Sequence, residues 1–389
     1  MQDNKVLSKF QVILMAVAAG ASVANIYYNQ PILKEIALSF DVTEKDAGTI
    51  SVLSQIGYGV GLFFIIPLGD KISKKNLILA LLSLLVIALM LMTITTRIHE
   101  VWFLSILIGI LSVSVQVILP LAASLDSMSR GKTVGTIFSG ILIGILAARV
   151  LGGFVAEWLG WRYIYGLSAV LILVITLLLK IFLPDVKNEF KGHYFQLLQS
   201  VFLQIKRFAA LRKASLIGGL LFGVFCSFWT TLTFHLSGAP FYFHSDTIGL
   251  FGLVAIAGAL MAPIFGRQAD KGNANRSLLL AVSIVILSIL LIKFISDSVI
   301  VLIIAVLLLD IGIQAMQITN VAMIYTLDEN SHSRINTIYM TSYFIGGSMG
   351  TFVGLLCWKY GGWSWVTTQM LIWSLAALGI IFNKLNKRN

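Results

Sequence analysis

The chain has 389 residues with a net charge of +11, of which 58% are hydrophobic and only 12% charged, and its mean hydropathy is +0.92. A soluble domain of this length needs far more charge on its surface, so the composition excludes a soluble protein and predicts one embedded in a lipid bilayer. Twelve apolar runs, separated by short gaps, are each long enough to cross about 30 Å of hydrocarbon as a helix.

The basic residues are distributed unevenly between the two sides of these predicted spans. We place the spans at 10–30, 47–68, 77–96, 101–125, 134–156, 162–183, 215–238, 248–265, 277–295, 299–326, 335–358 and 363–383. With the N-terminus in the cytoplasm, the cytoplasmic segments hold 21 of the 28 Lys and Arg residues, which is the positive-inside pattern. The positive charge therefore predicts an orientation with both termini cytoplasmic, and it excludes nucleic acid as the partner.

Polar side chains mark one face of the first span. Asn25, Tyr28 and Asn29 are three and four residues apart, which places them on one side of a helix. Unpaired amides are costly in lipid, so this side points into the bundle. We predict Asn25 and Tyr28 as cavity residues, with hydrogen bonding between helices as the alternative. The loop that follows has the capping-box spacing Thr43-x-x-Asp46 before the second span.

Small and polar residues also follow one stripe of the second span. Gly48, Ser51, Gln55 and Gly59 recur at helical spacing with Tyr58 beside them, and we predict Gln55 and Tyr58 as cavity residues. The glycines at 57, 59 and 61 lie within an apolar run with no strand before it, so they indicate helix packing and not a dinucleotide site.

A short charged hairpin after the second span is repeated in the second half of the chain. The first copy is Ile66-Pro-Leu-Gly-Asp-Lys-Ile-Ser-Lys-Lys75 and the second is Gly266-Arg-Gln-Ala-Asp-Lys-Gly272. Asp70 and Asp270 are 200 residues apart, so the sequence predicts two similar halves, 1–183 and 215–389, joined by the segment 184–214.

This hairpin resembles the loop motif G-x-L-a-D-R-x-G-R-R between helices 2 and 3 of the major facilitator superfamily. The matching residues are Leu68, Asp70, Lys71, Lys74 and Lys75 in the first copy and Gly266, Ala269, Asp270 and Lys271 in the second, while Ile66 and Ser73 replace Gly. The resemblance covers the whole chain. It implies an all-α membrane fold with twelve transmembrane helices in two six-helix, pseudo-symmetric halves around a central cavity. It also implies a cytoplasmic gate, which we assign to Asp70, Lys71, Lys74, Asp126, Asp270 and Lys271.

The fourth span carries Gln116, which we predict as a cavity residue, and is followed by Arg130-Gly-Lys-Thr133. That Gly-Lys-Thr lacks the earlier Gly of a phosphate loop, so the sequence gives no sign of ATP binding. In drug-exporting members of the superfamily, helix 4 usually carries an Arg in an R-x-x-x-G setting. With Gly109 as the aligned Gly, Ser105 stands in the place of that Arg.

The fifth span combines a stripe of small residues with a charge. Gly140, Gly144, Ala148 and Gly152 recur every four residues, which predicts a close contact with a helix of the other half that moves against it. The stripe resembles the antiporter motif G-x8-G-x3-G-P-x2-G-G of the superfamily, with Arg149 in place of the Pro. An Arg at mid-membrane is costly unless it is paired or hydrated, so we place Arg149 at the cavity, facing a substrate anion or the coupling carboxylate. Structural pairing to carbonyl groups is the alternative.

The segment 184–214 alternates basic and apolar residues. This pattern predicts an amphipathic helix on the inner leaflet that links the two halves, with binding of a partner as the alternative. The seventh span then carries Trp229, which we predict as a cavity residue able to stack on a substrate, the alternative being core packing. Cys226 and Cys357 are predicted to be packing residues, and no metal site is expected.

The tenth span contains the most informative single residue, Asp310. It lies about twelve residues into the apolar run, near mid-bilayer, and shares one face with Gln314 and Gln317. A carboxylate in that position, facing an Arg across a cavity, suits a proton switch. We predict Asp310 and Arg149 as the proton-coupling residues and Gln314 and Gln317 as cavity residues. A contact to a substrate cation and a static structural role are the alternatives for Asp310.

The eleventh span is the counterpart of the fifth. Gly160-Trp161 and Gly362-Trp363 follow the two spans at an offset of 202 residues, and Thr351 then falls where Arg149 was. Tyr339 and Tyr343 share one face of this span, and we predict both as cavity residues. The two halves thus share a scaffold and differ in their chemistry.

These features predict a proton-coupled secondary transporter that works by alternating access and exports a drug-like compound or metabolite as an antiporter. The alternative is a proton-symport importer of an anionic or zwitterionic solute such as a metal chelate, because Arg149 suits an anion. A membrane-embedded enzyme or sensor is a third possibility, although the sequence has no catalytic constellation. We expect a monomer in a bacterial cytoplasmic membrane, with a small-molecule substrate, protons and lipid as partners and no cofactor.

Overall fold

The computed structural model describes residues 7–126, 129–185, 194–260, 274–328 and 331–382. The helices in these ranges are α1 Lys9–Ala24, α2 Leu33–Phe40, α3 Glu44–Phe64, α4 Leu68–Lys71, α5 Lys74–Thr93, α6 Ile98–Leu111, α7 Ser114–Leu125, α8 Arg130–Leu159, α9 Trp161–Phe182, α10 Tyr194–Arg207, α11 Ala209–Ser237, α12 Ser245–Leu260, α13 Ala274–Phe294, α14 Val299–Tyr325 and α15 His332–Phe382. At Gly362, α15 breaks into two helices, because a φ of 59° lies in the left-handed region that favours glycine.

Each of the twelve predicted spans overlaps a helix within the described ranges. They correspond to α1, α3, α5, the α6–α7 pair, α8, α9, α11, α12, α13, α14 and the two parts of α15. By length and composition, nine helical stretches of the described residues can cross a membrane, while α1 and the apolar part of α12 are shorter. The prediction of an all-α membrane fold is confirmed. The predicted capping box before α3 is also confirmed, since Asp46 N donates to Thr43 Oγ1 at 3.2 Å.

The segment between the halves contains α10, which contacts both of them. Leu197 and Val201 are buried on one side of this helix, while Phe195 and Phe202 are exposed. Tyr194 donates to the carbonyl of Phe64 at the end of α3. At its other end, Arg207 forms a 2.9 Å ion pair with Asp328 after α14.

Matching glycine contacts relate the two halves. A Cβ at Gly144 of α8 would lie 2.2 Å from the carbonyl oxygen of Gly20 in α1, and a Cβ at Gly346 of α15 would lie 2.2 Å from that of Gly219 in α11. Only glycine permits helices to approach so closely. The prediction that this stripe of α8 packs on the other half was wrong, because the stripe faces α1 of its own half.

A different face of α8 meets the other half. It contains Gly153, the residue that follows Gly152 of the stripe. A Cβ at Gly153 would lie 2.2 Å from the carbonyl oxygen of Ser245, at the start of α12. Successive residues of a helix are about 100° apart, so one helix presents glycines to two different neighbours.

The two halves are bridged at the end of the bundle where α8 ends and α12 begins, which we call the closed end. In the described ranges, Lys34 Nζ donates to Ser237 O at 2.7 Å, and Trp358 Nε1 donates to Glu44 Oε2 at 2.6 Å. His244 Nδ1 lies 3.2 Å from Glu157 Oε1. Each bridge joins the first half to the second, so this end is sealed.

Candidate functional site

A cavity of about 360 Å³ lies between the two halves. It extends from Arg149 and Asp310 to Val134 near the start of α8, Tyr325 at the end of α14 and Asn336 near the start of α15. These helix ends lie away from the closed end, on the side that we call the open end. The cavity is large enough for a small-molecule ligand.

Arg149 forms the deep end of the cavity. The residue is only 2% exposed, and its Nε donates to Gln30 Oε1 at 2.8 Å. Its guanidinium carbon lies 3.7 Å from the ring centroid of Trp229 and 5.6 Å from those of Tyr27 and Phe225. An aromatic face attracts a cation by its quadrupole, so these rings offset part of the cost of burying the charge.

Two glycines of α12 allow the second half to close over Arg149. A Cβ at Gly249 would lie 2.6 Å from the Arg149 carbonyl oxygen, and a Cβ at Gly252 would lie 2.9 Å from the Arg149 Cβ. Any larger residue at these positions pushes α12 away from α8. The glycines therefore place the deep end of the cavity against the closed end.

Asp310 of α14 lines the same cavity and is 5% exposed. Its Oδ2 is buried and has no hydrogen-bond partner in the part of the chain that the structure describes. Arg149 and Asp310 interact electrostatically. They form no ion pair, since the ion pairs of the described residues join Arg207 to Asp328 and His244 to Glu157. The structure thus brings the two predicted coupling residues to one cavity as separate charges.

The remaining walls are aromatic with a few amide groups. Tyr343 stacks on Phe222 at 3.9 Å between ring centroids, and its hydroxyl donates to Gln317 Oε1 at 2.9 Å. Tyr58 packs against Phe344 at 4.3 Å, and its hydroxyl accepts from Gln116 Nε2 at 3.2 Å. Five of the predicted cavity residues therefore lie on the cavity wall, namely Tyr58, Gln116, Gln314, Gln317 and Tyr343.

Two other predicted cavity residues, Asn25 and Tyr28, lie away from this wall. Asn25 Nδ2 donates to Ala21 O at 2.8 Å, and its Oδ1 accepts from Ser168 Oγ at 2.7 Å. Tyr28 also lies beside Ser168, whereas Tyr27 faces the cavity. The prediction extended a regular helix through residue 30, but α1 ends at Ala24 and the chain continues in turns. The 100° step per residue therefore failed to identify Tyr27.

Three further predicted cavity residues lie behind the wall. Trp229 carries the Arg149 guanidinium on its ring, so that face is already occupied. Gln55 Oε1 accepts from Thr351 Oγ1 at 3.3 Å across the two halves. Tyr339 is fully buried against Asn320, whose Nδ2 donates to its hydroxyl at 3.4 Å. Sequence spacing identified the buried face of each helix but not the depth of each side chain within the bundle.

The predicted gate residues of the first half lie at the open end. Asp70 and Lys71 belong to α4, Lys74 begins α5, and Arg334 of α15 interacts electrostatically with Asp70 from the other half. Asp126 forms its hydrogen bonds locally. Its carboxylate accepts from Ser129 N at 2.9 Å and from Thr133 Oγ1 at 2.7 Å at the start of α8. Asp270 and Lys271 lie outside the described residues.

The sequence matches a known family over most of its length. The family model described as Major Facilitator Superfamily matches residues 15–351. The chain belongs to this superfamily. It is therefore a multi-pass membrane transporter and not an enzyme.

Relatives of this superfamily member are transporters of bacteria. The uncharacterized transporter YgaY of Escherichia coli O157:H7 is 40% identical over 367 residues, covering 94% of this chain and 93% of the relative. SCO4007 of Streptomyces coelicolor, which is named a probable transporter, is 26% identical over 354 residues, covering 90% of this chain and 82% of the relative.

Solved structures of the superfamily share its fold. A bacterial homologue of the human lysosomal transporter Spinster, in an inward-facing and unoccupied conformation, matches with a TM-score of 0.78 at 11% identity, covering 98% of this chain and 97% of that chain. The POT family transporter PepTSo matches with a TM-score of 0.72 at 14% identity, covering 95% and 96%. At these identities the likeness establishes the fold alone.

Proposed function

We propose that this transporter is a proton-coupled antiporter that exports a small amphipathic compound by alternating access. The observation that carries the proposal is Asp310, a carboxylate on the cavity wall whose buried Oδ2 has no partner among the described residues. An ionisable group inside a membrane is costly and is retained where it serves transport.

The orientation follows from the distribution of charge. The predicted cytoplasmic segments hold 21 of the 28 Lys and Arg residues, and Lys71, Lys74 and Arg334 of these segments lie at the open end. This favours placing that end and both termini in the cytoplasm of a bacterial inner membrane. The cavity then takes up its substrate from the cytoplasm. This is the loading step of an export cycle.

Antiport follows from competition at one carboxylate. The Asp310 carboxylate binds either a proton or the cationic group of a substrate, but not both. Carrying a lone ionised carboxylate through the closed states costs several kcal/mol. The site therefore crosses outward with substrate and returns with a proton, so one is exchanged for the other.

Alternating access requires the closed end to separate while the open end closes. We propose that the halves 1–183 and 215–389 rock about the cavity, with 184–214 as the link between them. Asp70 and Arg334 attract each other across the open end and favour its closure. Lys71, Lys74, Asp270 and Lys271 belong to the same gate, and Asp126 contributes by holding the start of α8.

Proton symport is the second candidate, and Arg149 on the cavity wall is the observation that favours it. An anionic substrate bound to Arg149 and a proton bound to Asp310 neutralise both charges at once. Anion and proton would then cross together, which gives import down the proton gradient.

The experiment is accumulation of a panel of fluorescent drugs in a pump-deficient bacterial host that expresses the wild-type protein or Asp310→Asn. Asp297→Asn is the matched control, since it makes the same substitution at an exposed carboxylate. We expect lower accumulation with the wild type and the control, and no reduction with Asp310→Asn or with a protonophore. Reduced accumulation that persists in Asp310→Asn contradicts the coupling role, and increased accumulation with the wild type favours import.

A further inference from the structure

The guanidinium of Arg149 has donors that the protein does not use. Its Nε bonds Gln30, and one face lies on Trp229, so the plane of the group is fixed. The terminal nitrogen Nη2 is buried and has no partner among the described residues. A fixed guanidinium with free donors in its plane matches a carboxylate, which accepts two parallel hydrogen bonds from it.

Asp310 lines the same cavity and has an acceptor atom without a hydrogen-bond donor among the described residues. Its Oδ2 is buried without a donor, although Arg149 is within electrostatic range. Direct pairing of the two side chains would satisfy both, yet neither ion pair of the described residues involves them. The cavity therefore holds one unsatisfied cation and one unsatisfied anion.

The charge of the ligand follows from these two unsatisfied groups. A lone cation satisfies Asp310 and leaves Arg149 buried without a counter-charge, and a lone anion does the reverse. Leaving one partner of a buried pair uncompensated is strongly unfavourable. A ligand that carries both charges avoids that cost at each end.

The body of the ligand follows from the walls between the charges. Tyr343 and Phe222 present a stacked pair, and Tyr58 and Phe344 present a tilted pair beside it. Flat apolar rings pack favourably against such faces. The cavity volume of about 360 Å³ accommodates one or two fused rings with short charged arms.

We infer that this cavity takes an aromatic zwitterion, with its carboxylate at Arg149, its ammonium at Asp310 and its ring against the aromatic wall of the cavity. The inference rests on the proposed transport function and adds the chemical class of its substrate. It also explains how a site with a buried Arg remains compatible with antiport, since the ammonium displaces the proton while Arg149 holds the carboxylate.

The test measures binding of charge-matched ligands to the purified wild-type protein in detergent. The readout of binding is the shift in the thermal unfolding temperature. The probes are phenylalanine, tryptophan and naphthylalanine, each as the free amino acid, the amide, the N-acetyl acid and the N-acetyl amide. We expect the free amino acid of at least one scaffold to bind about tenfold or more tightly than its singly charged forms, as expected for one charge-assisted hydrogen bond. Equal binding of all four forms, or binding of none on any scaffold, overturns the inference.

Two variants assign each charge to its end. Arg149→Gln should bind the free amino acid and the amide equally, while Asp310→Asn should bind the free amino acid and the N-acetyl acid equally. The inference is overturned if either variant keeps the full preference of the wild type. The comparison on the wild type stands even if a variant fails to fold. Drug export that is proton-coupled but restricted to singly charged compounds contradicts the zwitterion and leaves the transport proposal intact.

Discussion

At the scale of single residues, the deep end of the cavity depends on how Arg149 is stabilised. Its charge has no carboxylate partner among the described residues, and its support comes from the Gln30 amide and the Trp229 ring. A cation over an aromatic face gains about 0.5–2 kcal/mol. We therefore predict that Trp229 affects ligand binding through the position of the guanidinium.

Trp229→Leu is predicted to destabilise the protein and to weaken binding of carboxylate-bearing ligands. The substitution removes the ring beneath Arg149 and leaves a cavity, with an expected loss of about 3 kcal/mol or more in stability. Trp229→Phe keeps a smaller aromatic face and should lose less. Thermal unfolding with and without ligand measures both effects. Trp158→Leu is the control, because Trp158 is 75% exposed, and a loss there equal to that of Trp229→Leu contradicts the prediction.

The two charges of the site were predictable from the sequence, but their neighbours were not. Arg149 and Asp310 stand out because ionisable residues within apolar spans are rare. Gln30, by contrast, is 119 residues from Arg149 and follows the point at which α1 stops being a helix. The stacking on Trp229 depends on contact between the two halves. Periodicity describes one helix at a time, so it contains no information on such contacts.

At the scale of secondary-structure elements, α8 uses separate faces for contacts within its own half and for contacts with the other half. Gly140 and Gly144 meet α1 within the first half, whereas Gly153 and the backbone of Arg149 meet α12 of the second half. The sequence predicted the stripe of small residues but assigned it to the wrong neighbour. The α8–α12 contact is the one that must separate when the closed end opens.

Gly249→Val is predicted to open the closed end. A Cβ there would lie 2.6 Å from the Arg149 carbonyl oxygen, so α12 must move away from α8. Spin labels at Leu38 and Tyr242, in a background without Cys226 and Cys357, report the separation of the halves by electron paramagnetic resonance. We expect a shift to longer distances in Gly249→Val. Gly379→Val is the control, because a Cβ at Gly379 has no atom within 4 Å. Unchanged distances in Gly249→Val rule out this role of the contact.

The short helix α2 adds a pH dependence to the closed end. Burial raises the pKa of Glu35 above its ordinary value of 4.5 and outweighs the opposing effect of the Ser245 hydroxyl. The nearby Glu157 adds to the shift and Lys34 opposes it. Opening hydrates the carboxyl group and returns its pKa towards 4.5, so the closed end binds the proton more tightly. Closure should therefore be most favourable at low pH and weaken as the pH rises above 4.5.

The same spin-label pair tests this pH dependence. We expect longer distances to gain population as the pH rises from 4.5, and Glu35→Gln to remove that trend. His244 lies 3.2 Å from Glu157 at the same end, so both proteins carry His244→Gln to remove this pair from the comparison. A trend that is the same in Glu35→Gln shows that another group is responsible.

At the scale of the whole molecule, the two halves repeat a scaffold and divide the chemistry between them. Composition, charge distribution and the repeated hairpin predicted the twelve-span, two-half architecture, because each depends on sequence alone. The size of the cavity and which end is closed depend on the packing of the halves, which no local pattern records. Arg149 comes from the first half and Asp310 from the second. The affinity for a ligand that contacts both residues therefore depends on how the two halves are positioned.

The most direct test of proton exchange at Asp310 is proton release on ligand binding. Naphthylalanine is added to the purified protein in weakly buffered solution with a pH-sensitive dye, at a pH where the empty site is protonated. The account predicts net proton release by the wild type and by Asp297→Asn, and none by Asp310→Asn. Proton uptake by the wild type, no release at all, or undiminished release by Asp310→Asn would contradict it.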